Sequence, residues 1–96
     1  MNYKGFTRPN LILKDYVWND YEEYDNRVSG EIDDTEFDRN EGNEVLYMIN
    51  TLMGAWGLDK VNNGQKIERM IKSYMPYTIK TQREAKEWIK NNWALY

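Results

Sequence analysis

Cysteine and histidine are both absent from this 96-residue chain. Their absence excludes disulfides, thiol nucleophiles, thiolate or imidazole zinc ligands, and every Ser-His or Cys-His mechanism. Long apolar runs are missing as well. No stretch approaches the ~18 consecutive apolar residues of a transmembrane helix, and Met1-Asn2-Tyr3-Lys4 lacks the apolar core of a signal peptide, so a cytoplasmic location and no membrane partner are expected. Proline occurs twice and glycine six times, and neither an internal repeat nor a low-complexity segment is visible. For catalysis only carboxylates, tyrosines and lysines are left, and nothing separates one acid from the rest as paired acid–base chemistry requires. A non-enzymatic protein without cofactor or metal is therefore expected.

What is present suits one small folded domain spanning 1–96. Hydrophobic residues make up 41% and charged residues 30%, with 15% aromatic; this is ordinary globular composition, enriched in rings that can build a core. The charge is divided along the chain. Up to Asp59 there are 13 acidic and 5 basic residues, and from Lys60 onward 3 acidic and 8 basic, giving halves of −8 and +5. The acidic excess is densest from Asp15 to Glu44, where twelve carboxylates face only Arg27 and Arg39, a net −10. Asymmetry of this kind speaks about partners more than about fold, because like charges must be solvated, paired or used.

The periodicity predicts a mainly α fold with three C-terminal helices. Residues 1–10 read as an irregular lead-in that can dock Phe6 on the core. Over 11–28 the apolar positions Leu13, Tyr16, Val17, Tyr21, Tyr24 and Val28 recur at helical intervals and predict an N-terminal helix, or a strand at Leu11-Ile12-Leu13 followed by a helix. A minor β element within residues 1–40 is the chief alternative. Residues 29–42 read as an acidic loop too polar to pack. Within the three-helix unit, 43–96, Asn43 is the expected cap of a helix carrying Val45, Met48, Ile49, Leu52, Met53 and Trp56, stopped at Gly57. A second helix is expected after Asn63-Gly64, with Ile67, Met70, Ile71, Tyr74 and Met75 on one face and Pro76 as its stop. Thr81 and Glu84 form a T-x-x-E capping box for a third, which presents Ala85, Trp88, Ile89 and Trp93.

Three patterns carry chemistry. The run Asp25-Asn26-Arg27-Val28-Ser29-Gly30-Glu31-Ile32-Asp33-Asp34-Thr35-Glu36 resembles the EF-hand calcium loop, with Asp25, Ser29, Gly30, Asp33 and Glu36 in its characteristic positions. The resemblance implies a weak calcium-binding module, but Arg27 places a cation at the third position, where the ion needs an oxygen. Gly54-Ala55-Trp56-Gly57 resembles the Gly-x-x-Gly loop of KH domains, yet Trp56 completes an apolar stripe where an exposed basic residue belongs. The basic half, Lys60, Lys66, Arg69, Lys72, Lys80, Arg83, Lys86 and Lys90, can meet phosphates. Met75 to Lys80 is long for the turn of a helix-turn-helix.

The acidic belt is the leading candidate site. Tyr and Trp anchor interfaces, and carboxylates interleaved with them can imitate the charge that a nucleic-acid-binding protein expects. The expectation is a small regulator or inhibitor presenting Trp18, Asp20, Glu22, Glu23, Asp25, Glu31, Asp33 and Asp34 to a protein partner with a basic surface. A nucleic-acid-binding module built on the basic half is the alternative.

Overall fold

The computed structural model describes residues 5–96, so the start of the lead-in lies outside the described residues. Three helices form its frame: α1 (Gly42–Ala55), α2 (Val61–Arg69) and α3 (Gln82–Asn92). The apolar stripe of α1 buries Val45, Met48, Ile49, Leu52 and Met53 against Ile67 of α2 and Ala85 and Ile89 of α3. Gly57 ends α1 as expected, taking a left-handed φ of 66° that any Cβ would make costly. The capping box is present: the Thr81 hydroxyl accepts from the Glu84 amide at 3.2 Å, and the Glu84 carboxylate accepts from the Thr81 amide at 3.1 Å. The fold is thus mainly helical, with no sheet among the described residues.

Two helix starts differ from expectation. The cap of α1 is Glu41, whose carboxylate accepts from the amides of Asn43 at 2.7 Å and Glu44 at 3.4 Å, and Asn43 is already helical. The second helix begins at Val61, ahead of Gly64. Gly64 is internal and buried because the Phe6 ring lies against it, where a Cβ would collide. It reads as a turn residue, but its role is close packing. At the other end of α2, Pro76 has no amide to continue the ladder and Met75 before it is extended. The chain leaves through a single π-turn, Met70–Tyr74, closed by the Met75 amide donating to the Met70 carbonyl at 2.8 Å.

The expected helix over 11–28 is absent; this stretch is an irregular strap laid over the helices. Its aromatic, β-branched, Asp and Asn residues are poor helix formers. Its backbone is satisfied by distant partners instead. The Glu68 carboxylate on α2 accepts from the amides of Ile12 at 2.8 Å and Leu13 at 3.1 Å and from the Tyr16 hydroxyl at 2.7 Å. Glu41 accepts from the Asn19 amide at 2.6 Å, while Val17 exchanges backbone bonds with Asn40 and Gly42. The apolar spacing was misleading: Val17 and Tyr24 point outward, while Leu11 is buried. The alternative β element is likewise reduced to two isolated bridges, Val17 with Glu41 and Glu36 with Thr81.

The acidic loop is a loop, but it packs. Phe37 joins the core and Arg39 and Glu41 are buried. Arg39 donates to the carbonyl of Ile71, in the last turn of the helical segment, and to those of Met75 and Pro76 just beyond it, where a cation is also favoured by the helix dipole. Lys72 donates to the Arg39 carbonyl at 3.2 Å and the Asn40 side chain at 3.0 Å. Of the nine residues expected to form the core, Met48, Ile49, Leu52, Ile67, Met70, Ile71, Ile89, Trp56 and Trp88, the first seven are buried. Trp56 and Trp88 are only half-buried at its rim, Trp56 edge-on to Trp93 at 6.0 Å. A radius of gyration of 12.1 Å is that of a compact chain of this length, about 12–13 Å, so the strap adds to the body instead of trailing from it.

Candidate functional site

A groove of about 1160 Å³ lies between the strap and the outer face of α1. Its floor is a helical stripe, Asn43, Tyr47, Asn50, Thr51 and Gly54, whose spacing places them on one side of α1, away from the core stripe. The only charged residue in all of α1 is Glu44, and it is buried. In a chain with 30% charged residues, an uncharged outer helix face is unusual, since such faces normally carry the solvating charge.

The opposite wall is the strap from Trp18 to Glu23. Its shape follows from local chemistry. The Asp25 amide donates to the Glu22 carbonyl at 3.0 Å, closing a turn with Glu23 and Tyr24 at its tip. Asp25 then accepts from the Arg27 amide at 2.9 Å in an Asx-turn. Gly30 adopts φ 77°, and its carbonyl accepts the Tyr47 hydroxyl, tying the loop to α1. On the inner side, Tyr21 donates to the buried Glu44 carboxylate at 2.6 Å. Burial, and then this bond to an acid, push the Tyr21 phenol well up, while burial pushes the Glu44 carboxyl up against the opposing pull of its hydrogen bonds.

Trp18 is half-buried and built into the wall. A Cβ on Gly42 would collide with its indole, so glycine is required at that approach, and Tyr16 meets it edge-on at 6.0 Å. The Arg8 guanidinium lies over the indole at 3.9 Å from the ring centre. Asp20, Glu22 and Glu23 are exposed along the lip, and their side chains form no ion pair among the described residues.

The eight residues anticipated from sequence therefore divide. Trp18, Asp20, Glu22 and Glu23 line the groove; Asp25, Glu31, Asp33 and Asp34 do not. Asp25 accepts from Nε and Nη2 of Arg27 at 2.9 and 2.6 Å, which keeps its carboxyl down at about 2. The cation at the third position of the EF-hand-like run thus occupies the oxygens a metal would need, and no group of three acidic side chains able to hold a metal occurs among the described residues. Asp33 accepts from the Thr35 amide at 2.8 Å, and Asp34 pairs with Arg83 at 3.5 Å beside the start of α3. Sequence reasoning missed Arg8 and the α1 floor. The uncharged stripe at 43, 47, 50, 51 and 54 was the signal available for the floor.

The basic half is partly consumed within the fold. The Lys72 side chain is only 6% exposed and pairs with Asp15 at 3.5 Å, Arg83 pairs with Asp34, and Lys66 covers Trp93 at 4.1 Å. No helix among the described residues is long and apolar enough to cross a membrane. No family model matches the chain, and comparisons with curated proteins and with solved structures give no match.

Proposed function

We propose that this protein is a non-enzymatic regulator or inhibitor that receives a basic protein partner in the groove between the strap and α1. The observation that carries the reading is the pairing of an uncharged helix floor with a lip of three carboxylates, Asp20, Glu22 and Glu23, that the fold itself leaves without cations among the described residues. Floors depleted of charge and rims that keep it are the anatomy of protein interfaces. The nucleic-acid reading has less support, because three of its basic side chains are engaged with Asp15, Asp34 and Trp93.

Charge steering gives the test. Association with a basic partner should slow as salt rises, because the screening length shortens from ~10 Å at 0.1 M to ~3 Å at 1 M. Replacing Glu22 and Glu23 by Lys should cut the on-rate about tenfold or more while leaving the helical circular dichroism unchanged. If the exposed Arg69, Lys80 and Lys90 replaced by Glu abolish binding while the Glu22/Glu23 reversal does nothing, the acidic groove is not the contact surface.

A further inference from the structure

The groove already holds one guanidinium, and it is the chain's own. Arg8 sits in a 3-10 turn, Arg8–Asn10, stacked 3.9 Å over Trp18, and it lines the groove beside Asp20, Glu22 and Glu23. Its side chain forms no ion pair among the described residues. Stacked cation and unpaired carboxylates thus stand in the same hollow without meeting.

We propose that the Trp18 end of the groove is an arginine seat, filled in the free protein by Arg8 and taken over by an arginine of the bound partner. The inference rests on the groove being the partner site, and adds which residue of the partner it reads. Among the described residues Arg8 gains only the ring. An incoming arginine on an extended basic segment gains the same ring together with the lip carboxylates, a planar fork over an aromatic face being the arrangement that arginine makes and lysine makes poorly. That difference is what lets the partner displace Arg8, since a ligand shifts an equilibrium only by its preference for one of the two states. Arg8 then acts as a selectivity device: a lysine-rich segment can neutralise the lip but competes weakly for the indole. Nothing in the turn itself opposes the exchange, because the bonds that hold it run from Asn10 to the Thr7 carbonyl, from Leu11 to the Arg8 carbonyl, and between Thr7 and the Asn10 side chain, leaving the Arg8 side chain outside them.

The test uses two labelled nonapeptides, all-arginine and all-lysine, with affinities read by fluorescence anisotropy on the full chain. Wild type should bind the arginine peptide more tightly. Arg8→Ala should raise the arginine-to-lysine affinity ratio by roughly threefold to tenfold, because it vacates the seat. Trp18→Leu should bring the ratio toward one, and Arg8→Ala should then add nothing. If Arg8→Ala strengthens both peptides equally, the effect is removal of a positive charge and the seat is overturned, while the acidic groove stands. If it lowers the ratio or leaves it unchanged, the seat is likewise overturned. Loss of binding on reversing Glu22 and Glu23 checks the groove separately, and if that reversal leaves both peptides bound as in wild type, the groove reading fails whatever Arg8 does. Circular dichroism of each variant confirms the fold, and Arg8→Gln repeats the test should Arg8→Ala prove unstable.

Discussion

Removing the Glu68 carboxylate should release the strap from the helices. Glu68 is 1% exposed and gathers three donors from residues more than fifty positions earlier: the Ile12 amide, the Leu13 amide and the Tyr16 hydroxyl. A buried donor left without its acceptor costs about 1–3 kcal/mol. Ile12 is half-exposed, so water can replace part of the loss, and the lower end applies to each donor. Glu68→Ala should therefore cost about 3–4 kcal/mol, a large share of the roughly 5–14 kcal/mol that a chain of this length commands. With a urea slope of about 1–1.5 kcal/mol/M, the midpoint should fall by roughly 2–4 M.

The release has a local signature. Amide exchange at Ile12 and Leu13 should accelerate in Glu68→Ala by more than the global loss explains, while the amides of α3 follow global unfolding. Tyr16→Phe removes one donor and should cost about 1 kcal/mol alone, but much less in the Glu68→Ala background, because the two groups share a bond. A Glu68→Ala cost below about 1 kcal/mol, or additivity with Tyr16→Phe, would refute the idea that this carboxylate holds the strap.

The other two predictions concern packing and pH. Gly64→Ala should destabilise by about 1–3 kcal/mol through overpacking against Phe6, with Phe6→Leu recovering part of the loss in urea melts; a neutral Gly64→Ala refutes the contact. For Glu44, the folded pKa lies above its ordinary 4.5, so its contribution to stability is fullest below that value and is lost as pH rises through the folded pKa. The Tyr21 hydroxyl favours the carboxylate, so Tyr21→Phe should raise the Glu44 pKa further and destabilise more at pH 7 than at pH 4; a downward move in a carboxyl carbon NMR titration contradicts it.

How far the fold was legible follows from where each element finds its partners. The stripes of α1 and α3, and the Thr81/Glu84 box, are satisfied within a few residues, so spacing alone reveals them. The strap is different: its helical spacing is real in sequence, yet its amides go to Glu68 and Glu41, and no local pattern records that. A trace of it exists in the helices. Glu68 falls on the stripe of Gly64, Ile67 and Ile71, and Glu44 on that of Met48 and Leu52, so an acid lies where the helix turns inward. A carboxylate at such a position must find donors, and among the described residues the long stretch unpaired by its own ladder is 11–41. The groove was half legible for the same reason. Its lip is contiguous in sequence, while its floor lies on another element and is recognisable by the charges it lacks.

The charge asymmetry takes on a different meaning once the acids are sorted by what they touch. Of the twelve carboxylates from Asp15 to Glu44, Glu41 and Glu44 are buried acceptors that hold the strap, so their part is in stability. Asp15, Asp25 and Asp34 lie in ion pairs, which at exposed sites contribute between nothing and about 1 kcal/mol. Neutralisation by the basic half therefore accounts for few of the acids, because Lys66 is spent on a ring and Lys72 and Arg83 meet one carboxylate each. Asp20, Glu22, Glu23, Glu31, Asp33, Glu36 and Asp38 remain outside any ion pair among the described residues. Repulsion among them works against the compact state; Asp33 and Asp38 accept backbone amides of Thr35 and Asn40 in return, whereas Asp20, Glu22 and Glu23 meet no cation among the described residues. Of these seven, Asp20, Glu22 and Glu23 are the ones that line the groove with Trp18 and the uncharged face of α1. There the repulsion can be offset by a cation arriving from outside, and for that reason the binding surface is assigned to the groove and not to the acidic segment as a whole.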